Sequence, residues 1–158
     1  MLENLITDRT QADFLRWLEL RNKGFAKMTA EERAEFAGDM KGAYNYTDLN
    51  RVGYALNYLK GRLTSAGYLN GTEFSAKADW TENEIPTGEQ FTAYLGAVET
   101  IRAAMSRKAD TPRTPADVGG LDVIGANNIE KILLDIEELI NNMLSARHYF
   151  GDLYSGER

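Results

Sequence analysis

Between Ile129 and Leu144 apolar residues recur at helical spacing: Ile129, Ile132, Leu133, Ile136, Leu139, Ile140, Met143 and Leu144. A stripe that wide has to be buried against another element. Phe91, Tyr94, Leu95, Val98, Ile101 and Met105 form a second stripe, opened by Thr87 with Gln90 as a capping box and ending near Lys108. Leu49, Val52, Leu56, Leu59 and Leu63 predict a third helix, capped between Asn45 and Asp48 and running to about Ala66. Two shorter helices precede these. Thr10 with Asp13 opens one to about Asn22, with Phe14, Trp17 and Leu18 along it and Gly24 as its stop. Thr29 with Glu32 opens a polar one whose main apolar contacts are Phe36 and Met40.

The intervals read differently. Tyr68-Leu-Asn-Gly-Thr-Glu-Phe74 sets an Asn-Gly pair between short apolar pieces, a hairpin signal, and a turn follows over Trp80 to Pro86. A small two-stranded or extended insertion is therefore expected there. Gly53 and Gly61 each weaken the third helix by about 1 kcal/mol relative to Ala, and Gly53 reads as the close approach of a neighbouring helix or as a ligand contact. Residues 110–120, rich in Pro, Gly and Thr, predict an ordered loop or a single turn begun at Pro115. The expected fold is mainly α, a helical bundle with a long antiparallel C-terminal helix pair and a small extended or hairpin insertion. Its parts are 1–66, 67–86 and 87–158, as one compact domain or as subdomains.

Composition narrows the function. With 158 residues, 43% of them hydrophobic, the chain buries a core without staples. A net charge of −6 argues against a general phosphate-binding surface, so no nucleic-acid partner is expected. The absence of cysteine excludes disulfides, thiolate nucleophiles and Cys-ligated zinc. No signal peptide, transmembrane segment or membrane partner is expected, because the start lacks an apolar h-region and no apolar run spans a bilayer.

The candidate chemistry is sparse. His148, the only histidine, sits beside Arg147, Tyr149 and Phe150 at a helix end, where a cation favours the dipole; no motif supplies a catalytic partner. Asp79, Glu82 and Glu84 flank Trp80 and could suit a sugar site, but acids after Thr81 also stabilise a turn, and Trp80 fits equally as a loop anchor. Gly119-Gly120 lacks the Lys-Ser/Thr of a phosphate loop. Neither Asp48-Leu-Asn50 nor Asp110 to Asp117 spaces oxygen ligands for calcium. The expectation is no enzyme, with no catalytic, cofactor-binding or metal residues and no cofactor.

Tyrosine is the more suggestive residue. Tyr44, Tyr46, Tyr54, Tyr58 and Tyr68 crowd the first half, and Tyr149 and Tyr154 recur at the end. Tyr offers large contact area at low entropic cost and keeps a hydrogen-bonding tip. Tyr54 and Tyr58 lie one turn apart on one face. With Trp80, the set Tyr44, Tyr46, Tyr54, Tyr58, Tyr68 and Tyr154 forms the candidate contact surface; the alternative is that these tyrosines edge the core with wet hydroxyls.

Ile6-Thr-Asp-Arg-Thr-Gln-Ala-Asp13, Lys27-Met-Thr-Ala-Glu-Glu32, Lys41 to Val52, Asp79-Trp-Thr81 with Ile85-Pro-Thr87, Asn128 to Asp135, and the closing Tyr149 to Gly156 resemble a family of small proteins. That family is encoded in phages and prophages of Gram-positive gut bacteria, near tail and baseplate genes. Its members bring no catalytic residues to carry over. The resemblance implies a non-enzymatic structural or interaction module of a phage tail or baseplate, located in the virion or, during assembly, in the host cytoplasm. Its expected partners are other tail or baseplate proteins, a second copy of itself, or a surface glycan. The alternatives are a glycan- or receptor-binding protein at the tail tip, which would need Trp80 and its acids in a groove, a cell-wall hydrolase, and a cytoplasmic assembly factor or host-directed regulator.

Overall fold

A computed structural model describes residues 2–116 and 121–155, with 147–155 as backbone alone. The chain forms α1 (Gln11–Lys23), one 3₁₀ turn (Phe25–Lys27), α2 (Ala30–Ala37), α3 (Tyr46–Ser65), α4 (Gly88–Ala103) and α5 (Val123–Ser155). No strand occurs among the described residues. Caps set the helix starts: Thr10, Thr29, Asn45 and Thr87 each accept a first-turn amide proton, and the residue at the third helical position bonds back to the cap amide. The fold is the mainly α bundle that the stripes predict. α4 stops sooner than its stripe, and α5 runs through Gly151 instead of ending before it.

The core is continuous across the chain. Val52, Leu56, Leu59 and Leu63 of α3, Val98 and Ile101 of α4, and Ile129, Ile132, Leu133, Ile136 and Ile140 of α5 are fully buried in one cluster, which also takes in Leu2, Leu69 and Trp80. Each large apolar side chain so buried contributes about 1.5 to 3 kcal/mol.

The direction of the helices departs from the expected antiparallel pair. Arg51 of α3 meets Glu130, and Arg62 further along α3 meets Asn141, so α3 and α5 run the same way. After α4 the chain doubles back along both neighbours. Lys108 reaches Glu138, Thr111 binds Asp135 (3.0 Å) and Pro115 packs near Gly125, while Arg102 holds the Pro112 carbonyl and Thr114 bonds Glu99. Residues 104–116 thus return along both helices to the beginning of α4, where Pro115 also lies near Gly125 at the start of α5, and α4 and α5 are parallel. The physical reason is length: an antiparallel pair takes a short loop, whereas this connection easily covers the roughly 24 Å of α4.

The segment after α3 makes a second return. α3 ends in a Schellman motif, with the Tyr68 amide on the Leu63 carbonyl and that of Gly67 on Thr64, and Gly67 takes the left-handed φ of +85° that the motif requires. Of the two forms expected for the insertion, the extended one is found: residues 72–80 run back along α3 without a strand partner. Lys60 binds the Phe74 carbonyl, Asn57 holds Ala76 and Asn50 holds Trp80. Gly53 is the point of closest approach, since a Cβ there would lie 2.3 Å from the Lys77 carbonyl oxygen. The close neighbour is therefore an extended backbone, not the helix that the sequence suggests.

Candidate functional site

Three helix-borne asparagines organise the extended segments. Asn50 accepts from the Trp80 amide (2.6 Å) and donates to its carbonyl (2.8 Å). Asn57 does the same for Ala76 (3.1 and 2.7 Å), and Asn127 for Arg9 (3.0 and 2.9 Å). Each primary amide thus stands in for a strand partner, satisfying backbone groups that no sheet satisfies. The signal in the sequence is Asn inside amphipathic helices, where its propensity is poor.

The Asn127 clamp fixes an N-terminal arm, residues 2–9, against α3 and α5, and delivers Arg9 into the interior. Arg9, Asp48, Arg51 and Glu130 form a neutral buried network of two cations and two anions. Arg9 donates to Asp48 and to Glu130, both at 2.6 Å. Arg51 binds Glu130 through Nε (3.1 Å) and a terminal nitrogen (2.9 Å), and also pairs with Asp48. Glu130, which is fully buried, additionally accepts the Ile6 amide at 2.6 Å, and Asp48 accepts the Asn45 amide as part of the α3 cap. Burial by itself lowers the pKa of each guanidinium, but Glu130 and Asp48 more than offset it, so both are raised and both stay cationic. None of the four was expected at a site from the sequence, where Asp48 reads only as part of the α3 cap and as a failed calcium ligand, because an isolated Arg or Glu in a polar stretch carries no mark of burial.

The network backs a cleft. Leu5 and Ile6 of the arm, Arg51, Tyr54, Ala55 and Tyr58 of α3, and Asp39 line its volume of about 660 Å³. Tyr54 is 66% exposed. Tyr58 is half-buried beneath Arg62, which donates to its hydroxyl at 3.2 Å. Of the tyrosines expected at a contact surface, these two come together.

The others part company. Tyr44 turns inward, its ring under Arg9 and its hydroxyl 2.5 Å from that of Tyr94; burial pushes both phenols up from their ordinary pKa. Tyr46 is exposed at the start of α3 and Tyr68 at its far end. Trp80 is only 8% exposed, with Lys77 over its ring at 4.8 Å, so it anchors the return segment and offers no open platform for a sugar. Two of the three acids beside it are engaged: Lys77 pairs with Asp79 and Glu84, and holds the Glu84 carboxyl below its usual pKa. Gly119 and Gly120 lie outside the described residues, and Tyr154 and His148 outside the described side chains. No helix among the described residues is long and apolar enough to cross a membrane.

No protein-family model matches the chain, and neither a curated protein nor a solved structure matches it.

Proposed function

We propose that the protein is a non-enzymatic interaction module, and that it acts as a structural part of a phage tail or baseplate. The observation that carries the first half is the cleft under Tyr54: an exposed aromatic rim is mounted on a wall braced by the buried Arg9–Asp48–Arg51–Glu130 network. Such a surface is ordered before a partner arrives, so little entropy is lost in binding. Of the charged side chains that line the cleft, Arg51 is spent on Asp48 and Glu130 and Asp39 accepts from Asn45 and Thr47, which suits contact better than proton transfer. The second half rests on the resemblance in sequence alone. Other tail or baseplate proteins and a second copy of this chain are the partners it implies, in the virion or in the host cytoplasm during assembly.

The test is mass spectrometry of purified induced phage particles, quantifying this chain against the major tail protein. A fixed integer-like copy number, reduced at least severalfold by Tyr54→Ser with Tyr58→Ser, is the expected result. Expression in the host with no copies in the particle overturns the virion assignment and turns attention to a cytoplasmic assembly factor or regulator.

A further inference from the structure

The Asn70-Gly71 pair reads in the sequence as a hairpin signal, yet no strand forms among the described residues on either side of it. The pair sits instead in an open turn between the end of α3 and the extended segment 72–80. Gly71 takes a left-handed φ of +77°, and Asn70, Gly71, Thr72 and Glu73 are all exposed. A Cβ built on Gly71 would meet nothing within 4 Å. No group among the described residues accepts the Gly71 amide proton. The Asn70 carboxamide makes one bond, its nitrogen donating to the Gly67 carbonyl at 3.2 Å, so its own carbonyl carbon is uncovered.

That arrangement is reactive. A backbone amide nitrogen that has lost its proton can attack Cγ of the asparagine before it. A C–N bond forms, the carboxamide nitrogen leaves as ammonia, and a five-membered cyclic imide remains. Water then opens the ring, at Cγ to give aspartate or at the backbone carbonyl to give isoaspartate, whose main chain runs through Cγ. One water is consumed and one ammonia released, with no oxidant or cofactor. The step needs a free amide and a small following residue, and the fold denies one or both to the other asparagines. Those within α1, α3 and α5 are followed by amides that donate back along the helix. The Asn45 side-chain oxygen holds the Thr47 amide, and Tyr46 follows it. After Asn4 the Leu5 amide is tied to the Leu2 carbonyl (3.2 Å), and after Asn83 the Glu84 amide is tied to that of Thr81 (3.0 Å).

We propose that Asn70 is a site of spontaneous covalent modification, at which ring closure onto the Gly71 amide converts asparagine to aspartate and isoaspartate in the folded protein. Either product replaces the donor that Asn70 offers Gly67 with a carboxylate that only accepts. Isoaspartate also adds one carbon to the backbone between buried Leu69 and the extended segment. The anchors further along, Lys60 on the Phe74 carbonyl and Asn57 on Ala76, are untouched, so the change stays at the turn. It stands apart from the interaction role proposed above.

The test incubates the full folded chain in warm neutral buffer, with tryptic digestion and mass spectrometry at intervals. Peptide 63–77 contains Asn70 and no other asparagine or glutamine. It should become about one dalton heavier and separate into two forms, of which isoaspartate methyltransferase labels one. Peptides 1–9 and 78–102, which carry Asn4 and Asn83, should convert several times more slowly. The same chain unfolded in guanidinium sets the rate that applies without a fold, and the folded chain should come within severalfold of it. Conversion an order of magnitude slower than that overturns the proposal. So does equal conversion at Asn4 and Asn83, or a product that is aspartate alone, which direct hydrolysis of the side chain would give. Asn70→Gln keeps a donor for Gly67 but needs a six-membered ring, and should silence peptide 63–77; an undiminished mass gain there overturns the mechanism.

Discussion

Replacing Glu130 with Gln tests the network that holds the N-terminal arm to the bundle. The side chain keeps its shape, but the buried group changes from two cations and two anions to two cations and one anion. Glu130 accepts from the Ile6 amide, from Arg9 and twice from Arg51. Glutamine supplies one acceptor oxygen and turns an NH₂ toward groups that are themselves donors. Removing one partner of a buried ion pair costs about 3 to 5 kcal/mol, mainly because the remaining charge is left uncompensated in a medium that solvates it poorly. Against a typical stability of about 5 to 15 kcal/mol, that is a large fraction. At about 2 to 4 °C per kcal/mol for a chain of this size, Tm should fall by roughly 6 to 20 °C. Urea unfolding followed by tryptophan fluorescence and far-UV circular dichroism measures the change, with Glu35→Gln as reference. That side chain is 41% exposed in its pair with Arg16, so its loss should leave the transition close to the parent's. A Glu130→Gln protein within about 1 kcal/mol of the parent would refute the argument, since an uncompensated buried cation cannot be that cheap.

Other consequences are independent of that network. Gly53→Ala should destabilise by about 1 to 3 kcal/mol through overlap with the Lys77 carbonyl, although alanine is the better helix former. Gly61→Ala, with nothing within 4 Å of the added carbon, should stabilise by up to about 1 kcal/mol, and chemical denaturation of the two variants reads both signs. Asn57→Ala removes both bonds to Ala76 and should cost about 1 to 3 kcal/mol. Hydrogen exchange should quicken at the Ala76 amide and leave the Val98 amide unchanged; uniform quickening would mean that the clamp is not local. Burial raises the Tyr44 and Tyr94 phenols, so the stability they confer is complete below the ordinary tyrosine pKa of about 10 and declines as pH rises beyond it. In an ultraviolet titration Tyr44 and Tyr94 should ionise only as the fold is lost; their ionisation in the still-folded protein would contradict their burial.

Much of the site lies beyond what local pattern reveals. Tyr54 and Tyr58 are legible as a pair because one turn of helix places them on one face. The cleft beside them is not, since part of its lining comes from Leu5 and Ile6 of an arm with no periodicity of its own. Trp80 is equally compatible in sequence with an exposed platform and an anchor. Two bonds from Asn50, thirty residues away in sequence, decide for the anchor. The network is the plainest case: Arg9, Asp48, Arg51 and Glu130 look like ordinary surface charges until three separate segments bring them together.

The sequence by itself determined the helices, their caps and the faces they bury, because 3.6-residue periodicity and first-turn hydrogen bonding are local properties of the chain. Thr10, Thr29, Asn45 and Thr87 announce their helices, and the isoleucine stripe of α5 announces its core. The tertiary structure alone decided that α3, α4 and α5 run in one direction, that the segment after α3 returns as an extended strap, and that helix asparagines pin that strap and the N-terminal arm in place. Helix direction depends on where a long connection finds backbone partners. Burial of a charge depends on the countercharge that another segment delivers. Neither is encoded in the spacing of residues along a single element.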